Sequence, residues 1–329
     1  MNVLEVKNLK VYYPLRGSLF AKRKFLKAVD DVSFTVAAGE TVGLVGESGC
    51  GKSSIAKALV RLEEPCGGSI HINNVDIAGL KGKALRKARK DFQMVFQDPY
   101  GSLNPRLSIR STLEEVLMLH TTLDKAQRLE RMKELMLQVG LNPAQLSRYP
   151  HEFSGGQRQR IGIARALATE PKLLIADEPV SALDVSVQAS IINLLQELQE
   201  STGIALLFIA HDLAVVEHIS DRILVMYLGR IVESAPAHEL CQKPLHPYTA
   251  ALMSAVPTLE KRSVGRIKLS GDVPSPLAPP SGCAFHDRCI YAKEKCRTCR
   301  PELREITPGR FSACFCVSEK GFFSCENPQ

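Results

Sequence analysis

The strongest constraint on how this chain folds is the loop Gly46–Ser53, which reads Gly-x-x-x-x-Gly-Lys-Ser. It follows the apolar run Thr41–Val45, a predicted buried strand, and precedes Ser54–Val60, a predicted helix. Glycines let backbone N–H groups surround a phosphate, and the helix start adds its positive dipole end. Lys52 can then reach the β- and γ-phosphates, and the Ser53 hydroxyl can hold Mg²⁺. A glycine turn without a ligand is the alternative, but the strand–loop–helix context favours a P-loop core of the α/β class.

The apolar content and the length of the apolar runs argue against a disordered chain and against a membrane-spanning one. The chain has 329 residues, of which 45% are apolar, enough for a globular α/β core with an additional segment. The longest apolar run, Ile204–Ala210, suits a buried strand and is far too short to span a bilayer. The N-terminus has no basic region followed by an apolar segment, so a secretory signal is not expected. We therefore expect a cytosolic protein that reaches a membrane only through a partner.

The formal charge of +7 is concentrated partly in two basic runs, Arg16–Lys24 and Lys81–Lys90. Such runs can contact nucleic acid or anionic lipid, but solvated faces have the same composition. Phe20 is the one aromatic residue within these two runs, too few for a stacking surface, and we therefore expect no nucleic-acid partner.

The periodicity of apolar residues divides the chain into regions. Residues 1–40 are predicted to form strands, with period-2 alternation at Val32–Val36. From Lys83 to about Ala168 the pattern is mainly helical, and buried parallel strands return at Leu173–Ala176 and Ile204–Ala210. A helical segment is therefore expected to be inserted into an α/β core.

An acid pair ends one of these predicted strands. Asp177 and Glu178 follow four apolar residues, which places them at the carboxyl end of a buried strand beside the P-loop. Asp177 can join the Mg²⁺ shell, and Glu178 can orient the attacking water. The alternative is a strand end that points into water.

The tetrapeptide Ser154–Gln157 precedes a predicted helix over Arg158–Ala168. A serine and two glycines at a helix start can form an anion site. The same residues also fit an ordinary capping box, because glutamine lies three residues after serine. These residues alone do not choose between the two.

Seven of the ten cysteines lie near the C-terminus, after the proline-rich run Pro274–Pro280. In a cytosolic protein such crowding favours a metal over disulfides. Four thiolates suit either zinc or a [4Fe–4S] cluster, and spacing alone does not choose. The seven are Cys283, Cys289, Cys296, Cys299, Cys314, Cys316 and Cys325.

Several motifs, in one order along the chain, resemble those of ABC-transporter ATPases. Ser154, Gly155, Gly156 and Gln157 match the signature, although Phe153 stands where the family often has leucine. The resemblance covers about residues 4–235. The other matching residues are Tyr13 (adenine stacking), Gln97 (Q-loop), Ser181, Ala182, Leu183 and Asp184 (D-loop), and His211 (switch histidine).

Further segments are similar to the peptide and nickel importer ATPases: Asp98–Arg106, His246–Leu252 and Ser275–Leu277. Arg148–Ser154, Val225–Arg230 and Glu326–Gln329 narrow the resemblance to the second ATP-binding subunit of bacterial dipeptide importers.

The resemblance implies roles for individual residues. Glu178 and His211 would be catalytic, and Mg²⁺ would be held through Ser53, Gln97 and Asp177. Residues 154–157 would contact the ATP of a partner subunit. A [4Fe–4S] cluster, with zinc as the alternative, would use Cys283, Cys289, Cys296 and Cys314. ATP would be bound by Tyr13, Gly46, Glu47, Ser48, Gly49, Cys50, Gly51, Lys52, Ser53, Ser54, Gln97 and Asp177.

The resemblance also implies architecture and partners. Residues 1–255 would form the ATPase domain, with a helical subdomain at about 95–168 and an antiparallel β subdomain at the N-terminus. Residues 256–329 would form a linker and a small cysteine-rich extension. A paralogous ATPase would pair head to tail with this chain on the cytoplasmic side of the inner membrane. Two transmembrane permease subunits and, indirectly, a periplasmic solute-binding protein would complete the importer.

Dipeptides are the expected cargo, while longer peptides, nickel, glutathione and haem remain open. Two alternatives are a soluble ABC ATPase that acts on nucleic acid or ribosomes, and a non-catalytic regulatory subunit. The single cassette, without a long heptad run, disfavours the first. Glu178 and His211 disfavour the second.

Overall fold

The computed structural model describes residues 1–15, 25–255, 267, 269 and 271–317. The basic run Arg16–Lys24, Cys325 and the segment Glu326–Gln329 lie outside the described residues.

The strands of the described chain form two sheets. In chain order they are β1 (Asn2–Pro14), β2 (Phe25–Ala37), β3 (Thr41–Val45), β4 (Gly67–Ile72), β5 (Val75–Asp76), β6 (Phe92–Val95), β7 (Leu173–Asp177), β8 (Ala205–Ile209), β9 (Arg222–Tyr227), β10 (Arg230–Pro236), β11 (Arg304–Thr307) and β12 (Arg310–Ser312).

The smaller sheet has the order β2-β1-β4-β5 and is antiparallel. It is the predicted N-terminal β subdomain. The larger sheet has the order β11-β12-β10-β9-β3-β8-β7-β6. Its five strands β9, β3, β8, β7 and β6 are mutually parallel. Strands β3, β7 and β8 are buried at every position, as the continuous apolar runs predict for strands covered on both faces.

The helices lie on both sides of this sheet and in the insert. In chain order they are α1 (Lys52–Leu59), α2 (Gly82–Ala88), α3 (Ile109–His120), α4 (Lys125–Gln138), α5 (Gly155–Leu167), α6 (Val185–Thr202), α7 (Leu213–Ile219), α8 (Ala237–Gln242), α9 (Pro247–Ala255) and α10 (Glu294–Thr298).

The helical insert is built mainly from α3, α4 and α5. Buried side chains at three- and four-residue steps, such as Met132, Leu135 and Met136 of α4, join the main core. The prediction of a mainly helical stretch from Lys83 onward is wrong for four residues. Phe92–Val95 form β6, the edge strand of the main sheet. The prediction missed this strand because four residues are too few to display a period. Its formation depends on pairing with β7, which is a tertiary contact.

The C-terminal extension does not stand apart from the core. Its hairpin β11–β12 continues the main sheet, because β12 pairs antiparallel with β10 at Glu233–Ser312 and Ser234–Phe311. Phe285 of the extension is 2% exposed and belongs to the same apolar cluster as the sheet strands.

Candidate functional site

The predicted site residues meet at the carboxyl edge of the main sheet. Strands β3, β8, β7 and β6 are consecutive neighbours there. The P-loop follows β3, His211 follows β8, the acid pair ends β7, and Gln97 follows β6. Ligands of parallel α/β sheets bind at this edge, because loops from adjacent strands converge on it.

The P-loop wraps the start of α1 in a conformation that requires glycine. Gly51 has φ of 111°, and a Cβ atom there would lie 2.1 Å from the Ala28 carbonyl oxygen. Lys52 is 4% exposed, and its Nζ donates to the carbonyl oxygens of Gly46 (2.7 Å) and Glu47 (3.3 Å). These two hydrogen bonds therefore keep the positively charged ammonium group of Lys52 against the P-loop.

A cavity of about 290 Å³ opens at the P-loop. Tyr13 lies on its wall, and the Tyr13 hydroxyl donates to Ser54 Oγ at 3.3 Å. Tyr13, the predicted adenine-stacking residue, therefore lies beside the P-loop. The lining also includes Pro276, from the proline-rich segment that precedes the cysteines.

The predicted Mg²⁺ ligands are partly assembled. Ser53 Oγ donates to Asp177 Oδ1 at 3.1 Å. Asp177 is 4% exposed, and burial raises the pKa of its carboxyl group while the Ser53 hydrogen bond opposes that shift. A divalent cation bound between these two side chains would offset the cost of the buried carboxylate.

Two predicted residues, Gln97 and His211, converge on one oxygen of a third, Glu178. Gln97 Nε2 donates to Glu178 Oε2 at 3.0 Å, and His211 Nδ1 lies 3.6 Å from the same oxygen. Glu178 has φ of 45°, in the left-handed region, and its N–H donates to the Ile209 carbonyl oxygen. Such backbone strain costs roughly 1–3 kcal/mol and is concentrated at functional sites.

The signature segment forms the capping box, one of the two possibilities that the sequence left open. Ser154 is the N-cap of α5, with a reciprocal capping box to Gln157. Its hydroxyl side is exposed, and none of residues 154–157 lines the cavity at this chain's own P-loop. A Cβ atom on Gly155 would lie 3.3 Å from Leu183 Cδ2, which places the D-loop beside the signature.

The four cysteines predicted to hold a cluster, Cys283, Cys289, Cys296 and Cys314, all line one small cavity with Cys316. Burial raises the pKa of Cys283, and raises those of Cys289 and Cys314 to about 12. Within the described ranges, however, no group of three or more His, Cys, Asp or Glu side chains is placed to hold a metal ion. The zinc alternative and the iron–sulfur prediction therefore gain no support from this structure.

Two side chains that sequence reasoning did not assign to the site contact the P-loop. The Tyr248 hydroxyl accepts a hydrogen bond from the Glu47 N–H at 2.8 Å. The Arg288 guanidinium binds both carboxylate oxygens of Glu47, at 2.8 and 3.1 Å. Tyr248 belongs to a motif noted in the sequence, but nothing in that motif indicates which loop it contacts.

A second opening of about 800 Å³ separates the sheet from the helical insert. Its lining joins Ser53, Gln97 and Asp177 of the nucleotide site to Glu115 of α3 and Arg165 of α5. Gln97 therefore lies at the boundary between the nucleotide site and the helical insert.

The fold and the site define a P-loop ATPase cassette, and comparison with known proteins narrows the class. Residues 29–181 match the family described as ABC transporter, and residues 232–296 match the oligopeptide/dipeptide transporter C-terminal region. The chain is 53% identical to the oligopeptide transport ATP-binding protein AppF of Bacillus subtilis, covering 96% of this chain and 98% of the relative. It is 50% identical to the di/tripeptide transport ATP-binding protein DppF of Pseudomonas aeruginosa, covering 92% and 94%. The chain therefore belongs to the family of ABC transporter ATP-binding proteins and is an ATPase coupled to transport.

Solved structures agree with this fold. One is the dimeric bacterial ABC transporter cassette MJ0796, at 28% identity and a TM-score of 0.63, covering 71% of this chain and 98% of that one. Another is cbiO1 of Clostridium perfringens, part of the transporter complex cbiONQ, at 26% identity and a TM-score of 0.63, covering 74% and 91%. In the part of the chain that the structure describes, every helix is too short or too polar to cross a bilayer.

Proposed function

We propose that this chain powers the import of dipeptides or related short peptides, paired with a paralogous ATPase on the cytoplasmic face of the inner membrane. The convergence of Gln97 and His211 on one oxygen of Glu178 carries the proposal. A carboxylate held in this way can accept a hydrogen bond from a water molecule in line with the γ-phosphate. The peptide cargo rests on the relatives whose names specify oligopeptides and di/tripeptides.

Each residue contributes positioning or charge rather than covalent chemistry. Lys52 would exchange the carbonyl oxygens of Gly46 and Glu47 for phosphate oxygens. Ser53 and Asp177 would hold Mg²⁺, which neutralises phosphate charge when bound. Glu178 would polarise the water, and His211 would orient the glutamate or the γ-phosphate.

The signature residues 154–157 would complete the nucleotide site of the paralogous subunit, because they do not line the cavity of their own P-loop. The opening between sheet and insert would receive a segment of the permease. Gln97 lies at both places and would report the nucleotide state to that segment.

Reconstitution tests the function. This chain, a paralogous ATPase, two permease subunits and the binding protein would be placed in liposomes with ATP on the ATPase side. Labelled dipeptide should accumulate only when both ATPases are present. Longer peptides, glutathione, a nickel chelate and haem serve as competitors. If one of these competitors inhibits the uptake of labelled dipeptide more strongly than unlabelled dipeptide does, that compound becomes the proposed cargo. Full transport with this chain as the only ATPase would contradict the heterodimer.

We also infer that the cysteine cavity holds a [4Fe–4S] cluster through Cys283, Cys289, Cys296 and Cys314. The proposal rests on the donor set that the sequence supplies, four cysteines that also line one cavity, although the described residues form no metal-binding group in this structure. Protein purified without oxygen should be brown, with about four iron and four sulfide per chain. Colourless protein with one zinc per chain would show that zinc, and not the cluster, occupies the site. Protein without any metal would refute both the cluster and the zinc ion.

A further inference from the structure

The C-terminal extension contacts the nucleotide site at two points, and helix α9, which precedes the extension, adds a third. Arg288 of the extension binds the carboxylate of Glu47, Pro276 of the extension lines the cavity at the P-loop, and Tyr248 of α9 accepts the backbone N–H of Glu47. Glu47 is the second residue of the P-loop. These contacts span 241 and 201 residues of sequence for Arg288 and Tyr248, so tertiary structure alone creates them.

The Arg288–Glu47 pair is sheltered and bidentate. The side chain of Arg288 is 8% exposed and that of Glu47 is 25% exposed. Two parallel N–H···O bonds fix the orientation of both groups, which a single exposed ion pair does not. The carboxylate of Glu47 in turn raises the pKa of Arg288. The carboxylate is therefore both neutralised and held in one place.

The groups that hold Glu47 are themselves held by aromatic packing. Phe285 lies three residues before Arg288, and its ring contacts those of Tyr227 and Tyr248 at centroid distances of 5.3 and 5.4 Å. Tyr227 and Tyr248 contact each other at 4.7 Å. All three rings are at most 2% exposed. A movement of the extension would therefore shift both contacts to Glu47.

We propose that Arg288 and Tyr248 are positioning residues that hold the P-loop at Glu47 in its nucleotide-binding conformation, so that the C-terminal extension completes the ATP site. The ion pair acts in two ways. It limits the conformations of the loop whose N–H groups must surround the phosphates. It also cancels a negative charge that would otherwise repel the triphosphate.

Charge variants in full-length protein separate these effects from a general loss of structure. Arg288→Gln should weaken the binding of a fluorescent ATP analogue with Mg²⁺ about 10-fold, because the Glu47 carboxylate is left uncompensated. Arg288→Lys keeps the charge but loses the bidentate geometry, and should recover part of the affinity. Arg300→Gln is the matched control. Arg300 also lies in the extension and pairs with the core at Asp30, at 3.8 Å, but not with the P-loop.

The double variant Glu47→Gln with Arg288→Gln is the sharpest test. If Arg288 acts by neutralising Glu47, removing both charges should restore binding to within about threefold of wild type. If Arg288 only supports the fold, the two losses should add. The restored double variant also answers the objection that Arg288→Gln is merely misfolded.

Hydrogen exchange provides a readout that needs no nucleotide. In Arg288→Gln and in Tyr248→Phe, amides of residues 46–53 should exchange about 10-fold faster than in wild type, with the sheet strands unchanged. Unchanged exchange together with unchanged affinity in both variants would overturn the proposal, as would an additive double variant. These measurements concern nucleotide binding by this chain, so they are independent of which cargo the transporter carries.

Discussion

At the scale of single residues, the chemistry depends on how one carboxylate is held. Glu178 Oε2 is contacted by Gln97 and lies near His211, while the proposed phosphate ligands, Lys52 and the loop backbone, lie elsewhere in the site. Water activation and nucleotide binding should therefore be separable by mutation.

Glu178→Gln should keep ATP affinity within about threefold of wild type and slow turnover at least ~10²-fold, the scale for loss of a general base. Steady-state ATPase assays of the assembled transporter and binding assays of the chain measure the two quantities. Glu197→Gln, on the exposed face of α6, is the control. Turnover close to that of wild type would remove Glu178 from the mechanism.

A second carboxylate has a structural task. Glu233 is fully buried and accepts the N–H groups of Leu245 (2.7 Å) and His246 (2.8 Å) at the start of α9. Burial raises the pKa of the Glu233 carboxyl group from 4.5 to about 7, although these hydrogen bonds and the positive charge of Arg310 act to lower it. The folded state therefore keeps a proton that the unfolded state releases between these pH values.

The contribution of Glu233 to stability should be full below pH 4.5 and fall as the pH rises to about 7. His246, whose pKa burial lowers from 6.5 to about 3, acts in the opposite direction. Its effect cancels when wild type is compared with Glu233→Gln. The difference in free energy of unfolding between the two proteins, from urea titrations, should fall by up to about 3 kcal/mol across this range. A difference that does not change with pH would contradict the assignment.

At the scale of elements, the signature helix α5 depends on close approach to α6. A Cβ atom on Gly156 would lie 2.4 Å from Val187 Cγ1. Val187 is β-branched and has few alternative rotamers, so it cannot easily move aside. Gly162, on the same helix, has nothing within 4 Å of the corresponding position.

Gly156→Ala should lower the free energy of unfolding by about 1–3 kcal/mol through overpacking. Gly162→Ala should be neutral or raise it by up to about 1 kcal/mol, because alanine has the higher helix propensity. Urea denaturation of both variants checks the pair. Equal effects of the two substitutions would show that helix propensity, rather than the contact with α6, governs Gly156.

In the molecule as a whole, the two loops that we predict to bind anions do not share a cavity. The P-loop lines one, and the signature serine is exposed at the start of α5. The separation predicts that substitutions in the signature affect a paired subunit and spare the chain's own nucleotide binding.

Ser154→Asp should leave ATP binding by the isolated chain unchanged and reduce the ATPase activity of the mixed pair about 10-fold. Aspartate keeps the N-cap but places a negative charge against the partner's nucleotide. Ser154→Asn, which caps equally well without charge, should cost much less. If Ser154→Asp weakened binding by the isolated chain to the same extent, the signature would serve its own P-loop.

The parts of the site that are contiguous in the chain could be predicted from the sequence. The P-loop and the acid pair after Leu173–Ala176 follow from local composition, since a strand of apolar residues places the next residues at the sheet edge. The helical insert was predicted from the periodicity of apolar residues, whereas the antiparallel N-terminal sheet and the family were implied by the resemblance in the order of motifs. All three are confirmed.

The places where distant segments meet depend on the packing of the whole core and could not be predicted from local sequence. Phe92–Val95 become an edge strand because β7 offers a partner, although their neighbours along the chain are helical. The extension, predicted as a separate segment after a linker, adds β11–β12 to the main sheet and brings Arg288 to Glu47. An ion pair between residues 241 positions apart has no local signature, because its partners acquire their geometry only when the whole core has packed.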